Sequence, residues 1–224
     1  MELERRYLPA ADGNALELRD DGGPVIRGIS PPWNSPSVDL GGFTEQFSPS
    51  AFDRVLNRSR NDPRGRVDVV GLFNHDDNLV LSRTTNNSLG LSKEASGLGW
   101  EMRNLPDTQT ARDVVSLLRA GLLYGASFGF IVSDKGQHWT EDTKGNPVRT
   151  ITDADLFDVS VVTWPAYPAS SAGLRSLAQW REENLTAAEI RDRVERDAER
   201  AAARQREIEA SIVALKLARL RAYA

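Results

Sequence analysis

Three side chains in this sequence could together activate a hydroxyl: Ser127, His75 and Asp158. Ser127 lies in Leu122-Leu123-Tyr124-Gly125-Ala126-Ser127-Phe128-Gly129-Phe130-Ile131-Val132. On a strand, alternation puts Tyr124, Ala126, Phe128, Phe130 and Val132 on a core face and Gly125, Ser127 and Gly129 on the other. A hydroxyl between two residues without side chains is open to an approaching chain. Taken alone, this fits a strand crossed closely by a neighbouring element better than a nucleophile. A serine nucleophile needs a base, and the chain has two histidines. His138 sits in a polar stretch that reads as a solvated hairpin loop between Val132 and Ile151. His75 ends the apolar run Val67-Asp68-Val69-Val70-Gly71-Leu72-Phe73, sharing a face with Val69, Gly71 and Phe73. A lone histidine there is more often structural, yet in a serine hydrolase it is nearly the forced choice. Asp158 lies in Leu156-Phe157-Asp158-Val159-Ser160-Val161-Val162, where Phe157, Val159 and Val161 share one face and Asp158 and Ser160 the other. Two readings fit it: a buried carboxylate paired with an imidazole, or an edge-strand carboxylate in water.

Gly125-Ala126-Ser127-Phe128-Gly129 also matches the nucleophile elbow of α/β-hydrolases, which requires a strand, a sharp turn, a helix and a later histidine. Here the chain stays aromatic and β-branched after Ser127, so that fold is rejected.

The elements that must position these residues are mostly strands. They are expected over 25–29, 67–73, 97–102, 122–132 and 156–163, with turn clusters such as Ser30-Pro31-Pro32-Trp33-Asn34-Ser35-Pro36 between them. Two helices are expected: one capped by Ser48 with Pro49 at its first position, and one capped by Asp107 or Thr108 that stops at Gly121. Asp76-Asp77-Asn78 reads as a turn. After residue 180 glycine and proline vanish, and 181–209 holds nine acids and seven bases. Leu185, Ile190, Val194, Ala198, Ala201, Ile208, Ile212 and Leu215 form a narrow apolar stripe there, the pattern of a long amphipathic helix. Such a helix packs on its own domain or serves as a partner-binding arm. Residues 1–176 are therefore expected as one domain and 177–224 as a charged helical arm.

Composition narrows the function. The 28 Lys and Arg against 32 Asp and Glu give a formal charge of −4, with no global reason to bind nucleic acid or an anionic membrane. The absence of cysteine excludes disulfides, thiol nucleophiles and cysteine-based metal sites, and two histidines disfavour a multi-histidine centre. No cofactor is expected. No stretch is long and apolar enough to span a bilayer, and the N-terminus lacks the apolar core of a signal peptide.

Several blocks together resemble the prohead (capsid maturation) serine proteases of tailed bacteriophages. They are Gly42-Phe43-Thr44-Glu45-Gln46-Phe47-Ser48-Pro49-Ser50-Ala51-Phe52, Phe73-Asn74-His75-Asp76, Gly121-Leu122-Leu123-Tyr124-Gly125-Ala126-Ser127-Phe128-Gly129-Phe130, and Leu156-Phe157-Asp158-Val159-Ser160-Val161-Val162-Thr163-Trp164-Pro165-Ala166. The likeness covers about residues 25–172. It departs at Leu81-Ser82-Arg83, where the family commonly has glycine before the arginine, and at Asp158, where it most often has glutamate. The resemblance implies an α+β fold with a β-barrel-like protease core related to the herpesvirus assemblins, a few packed helices, and the charged arm following.

It also implies a serine endopeptidase with His75 as base, Ser127 as nucleophile and Asp158 as third member. The gaps at Gly125 and Gly129 would let a substrate backbone lie close. The implied partners are the major capsid protein and scaffold segments, with the enzyme itself as a further substrate, inside the procapsid in the host cytoplasm. Self-association through the C-terminal helix is a further expectation. The competing reading is a non-enzymatic capsid assembly or scaffolding protein.

Overall fold

The computed structural model describes residues 2–8, 16–20, 22–61, 68–133, 135–163, 171–184, 186 and 191. The chain divides into two compact units, Met1–Leu177 and Ala178–Ala224. The expected tail helix lies almost wholly outside the described residues, as does Val67.

Among the described residues the fold is mixed α/β and rich in sheet, with three helices. One sheet has five strands, in the order β1 (Glu4–Leu8), β9 (Gly125–Val132), β12 (Ala154–Val162), β5 (Val70–Phe73) and β6 (Asp76–Arg83). A second has four: β2 (Glu17–Asp20), β3 (Pro24–Pro32), β8 (Gly97–Met102) and β7 (Leu89–Lys93). A third has three: β10 (Gln137–Glu141), β11 (Pro147–Ile151) and β4 (Thr44–Phe47). The expected barrel does not close among these residues, because the strands pair into three separate sheets instead of one continuous ring. The helices are α1 (Asp53–Asn61), α2 (Gln109–Arg119) and α3 (Ser171–Glu183).

The core lies on one face of β9. Ala126, Phe128 and Phe130 are buried there as alternation requires. Phe47 meets Phe128 and Phe130 edge-on, with ring centroids 5.3 and 5.1 Å apart. Phe52, just ahead of α1, completes the cluster.

Helix α2 follows its sequence signals. The Thr108 hydroxyl caps it by accepting the Ala111 N–H at 3.3 Å. At the other end Gly121, at φ +68°, lets its own N–H reach Leu118 and that of Leu122 reach Leu117, a Schellman closure. Helix α1 starts four residues later than Ser48-Pro49 suggested. The Ser48 N–H donates to Ile151 of β11, and residues 49–52 form turns closed by Ala51 N–H to Ser48 and Asp53 N–H to Ser50.

Other boundaries also move. The strand expected over 122–132 begins at Gly125, and Leu122 and Tyr124 are exposed on the link from α2, so Tyr124 is not core. Strand β3 continues through Ser30, Pro31 and Pro32, where a register shift opposite β8 absorbs the two prolines instead of a turn. The segment between Val132 and Ile151 is a true hairpin, and His138 is exposed on its first strand.

Candidate active site

The five-stranded sheet brings the three sequence-predicted residues together. Antiparallel pairing of β12 with β9 sets Ser160 opposite Ser127 and Asp158 opposite Gly129. Parallel pairing of β12 with β5 sets Val161 beside Phe73, so the chain leaving β5 turns over the same face. His75 is carried by that turn and not by the strand itself. Asn74 and His75 have φ of 55° and 56° and form the two-residue link between Phe73 and Asp76, which pair with each other. Positive φ at both central residues is what a tight hairpin turn of this twist needs. Strand β6 then starts at Asp76, where a turn was expected.

The turn is held in place. The Asn74 N–H donates to the Val161 carbonyl at 2.8 Å. Its side-chain amide donates to Thr163 Oγ1 at 3.2 Å and accepts the Thr163 N–H at 2.8 Å. These bonds clasp the end of β5 to the end of β12 and fix the imidazole between two strands.

His75 Nδ1 lies 2.6 Å from Asp158 Oδ1, and His75 Nε2 lies 2.6 Å from Ser127 Oγ. Asp158 is 5% exposed and Ser127 2%. Of the two readings open for Asp158, the edge strand in water is excluded: β12 lies in the middle of the sheet, and the carboxylate is buried and paired. The alternation expected across this strand holds only after Asp158. A bulge between Leu156 and Asp158 makes Leu156 core and leaves Phe157 44% exposed, while Asp158 faces the site.

Gly129 does not leave open room beside Ser127. A side chain at Gly129 would collide with Asp158 Oδ2 and lie 3.2 Å from its carboxyl carbon. Strand β1 pairs along β9, setting Tyr7 opposite Ser127, and the Ser127 hydroxyl lies 2.8 Å from the Arg6 carbonyl. That hydroxyl has one proton and two acceptors in reach, Arg6 O and His75 Nε2. Given to His75, it needs a neutral imidazole with its own proton on Nδ1 toward Asp158.

Two groups escaped the sequence reading. Ser160, seen only as a neighbour of Asp158 on its face, donates to Asp158 Oδ1 at 2.6 Å. On the core side, Glu4 and Arg6 of β1 meet Glu45 of β4 and Arg149 of β11 in a buried quartet. Arg6 forks onto Glu45 at 2.7 and 3.0 Å, Arg149 forks onto Glu4 at 2.7 and 2.9 Å, and Arg149 also reaches Glu45 at 2.8 Å. Burial alone disfavours the Arg149 charge, but the hydrogen bonds and charges of Glu4 and Glu45 outweigh it and raise its pKa. The spacing of Glu4 and Arg6 on one strand face was the available signal, but their partners lie far along the chain. Among the described residues no group of acids and histidines is placed to hold a metal ion, and no helix is long and apolar enough to cross a membrane.

Arranged this way, one imidazole can take a proton from a serine hydroxyl while a carboxylate holds its far nitrogen. Among curated proteins none matches the chain. Among solved structures it is similar to the bacteriophage T4 capsid assembly protease, gp21, at 14% identity and a TM-score of 0.47, covering 73% of this chain and 98% of that one. A family model described as caudovirus prohead serine protease matches residues 12–183, a span that includes His75, Ser127 and Asp158. The chain therefore belongs to the caudovirus prohead serine protease family.

Proposed function

We propose that this protein is a serine endopeptidase of head maturation in which Ser127 is the nucleophile, His75 the general base and Asp158 the residue that orients it. The observation that supports this most directly is the pair of 2.6 Å contacts on the two nitrogens of His75. His75 Nε2 accepts the Ser127 proton as Oγ bonds to a peptide carbonyl carbon. The same proton then passes to the leaving amine as the C–N bond breaks. Water hydrolyses the acyl-enzyme by the reverse use of His75. Asp158 fixes the imidazole tautomer and stabilises the imidazolium. The substrates are scaffold segments or an N-terminal extension of the major capsid protein, cleaved inside the procapsid in the host cytoplasm, with the chain itself a further target. The charged segment after residue 176 is an arm that holds the enzyme to the assembling shell and supports self-association.

Intact-mass spectrometry over time tests this on the wild type and Ser127→Ala, alone and with assembled capsid protein. Discrete fragments in the wild type only are the expected result, and their ends give the specificity. Intact mass in both, with capsid protein present, overturns the protease reading in favour of a non-enzymatic assembly role.

A further inference from the structure

Ser160 is a buried polar side chain that the mechanism above leaves unused. It is 0% exposed on β12, directly opposite Ser127 on β9. Its Oγ donates to Asp158 Oδ1 at 2.6 Å and lies 3.2 Å from His75 Nδ1. Asp158 Oδ1 is also the oxygen that His75 contacts, so one carboxylate oxygen serves two donors. Asp158 Oδ2 instead faces the gap left by Gly129.

A carboxylate turns easily about its last torsion, whose energy wells are broad. A histidine alone would hold it by one bond, Nδ1–H to Oδ1, which persists while the exchanging proton comes and goes on Nε2 but leaves the carboxylate free to swing about it. A second donor on the same oxygen holds the carboxylate in place through both states. We infer that Ser160 is a positioning residue: it locks Asp158 in the orientation that reaches His75, and it offers Nδ1–H a second acceptor while the imidazolium exists. It acts through Asp158 and does not touch the substrate. This rests on the catalytic reading of Ser127, His75 and Asp158.

The test compares wild type, Ser160→Ala, Ser160→Thr, Asp158→Asn and the Ser160→Ala/Asp158→Asn double variant in the full chain. The probe is a fluorophosphonate, which phosphonylates an activated serine and needs no knowledge of the natural substrate. Ser160→Ala is expected to slow labelling of Ser127 by about tenfold to a hundredfold, the scale of a lost hydrogen bond to a charged group. Ser160→Thr keeps the hydroxyl and restores most of the rate. Added to Asp158→Asn, Ser160→Ala should change the rate by less than about twofold, because a residue acting through Asp158 has nothing left to act on. Imidazole NMR supplies a second readout, with the exposed His138 as internal reference: the His75 Nδ1 proton should move downfield in Ser160→Ala and stay in place in Ser160→Thr. If the alanine variant fails to fold, Ser160→Cys, close in size and a weak donor, carries the same comparison.

Equal labelling of wild type and Ser160→Ala with an unmoved His75 proton overturns the inference and leaves the triad standing. A full additional loss on the Asp158→Asn background also overturns it. No labelling of the wild type overturns the catalytic reading, and the NMR comparison then decides by itself whether Ser160 sets the His75–Asp158 pair.

Discussion

At Gly129 a missing methyl leaves the room in which the Asp158 carboxylate sits against His75. A Cβ there would collide with Asp158 Oδ2, within a strand that is packed on its other face by Phe128 and Phe130 and cannot yield. Gly129→Ala should therefore swing the carboxylate off His75. Labelling of Ser127 is expected to fall about a hundredfold, the scale of a misplacement of about 1 Å, with a stability loss of about 1–3 kcal/mol from overpacking. Labelling kinetics and a thermal melt read the two effects separately, and an unchanged rate would show that the carboxylate does not need that room. His75 stood out in the sequence because the chain has two histidines, whereas Ser127 and Asp158 stood out by position, a hydroxyl between two glycines on one strand face and a carboxylate within an apolar strand. What Gly129 does was not legible: its gap looked like room for a substrate, and that the strand carrying Asp158, 29 residues further on, lies directly beside it appears only in the sheet order.

Strand β12 shows where element-level reasoning stops. Strict alternation put Phe157 in the core with Val159 and Val161, but the bulge ahead of Asp158 turns it outward. Phe157→Ala is accordingly expected to cost less than about 0.5 kcal/mol, as for an ordinary surface change. Phe128→Ala, on the aromatic cluster, should cost about 3–5 kcal/mol. Denaturant titration of both variants checks this, and equal losses would restore the regular strand. Alternation was legible where a strand has one apolar face, as in β8 and β9. It was not legible in Glu4–Leu8, Glu17–Asp20 or Gln137–Glu141, whose sequences are charged or polar and become strands because a neighbour supplies the ladder. His75 was picked out correctly as a residue but not in its setting: the sequence placed it on a strand end, whereas the hairpin link holds it in a left-handed turn.

At the scale of the whole molecule, the buried quartet ties three distant segments together and is internally neutral, two acids with two bases. Arg149 is 1% exposed, and removing it leaves Glu4 and Glu45 to share Arg6. Arg149→Met should cost about 3–5 kcal/mol, the penalty of breaking a buried ion pair from one side. Urea unfolding measures it, and a loss below about 1 kcal/mol, the range of exposed pairs, would show that water reaches the cluster. The quartet also bears on the order in which the chain is made. Strand β1 is made before the other described strands, yet Glu4 waits 145 residues for Arg149, and Arg6 waits 121 residues for Ser127. His75 in turn waits 83 residues for Asp158. A chain whose translation stops before β12 lacks both Asp158 and the strand that joins β9 to β5, so Ser127 and His75 are brought together only once β12 has been made.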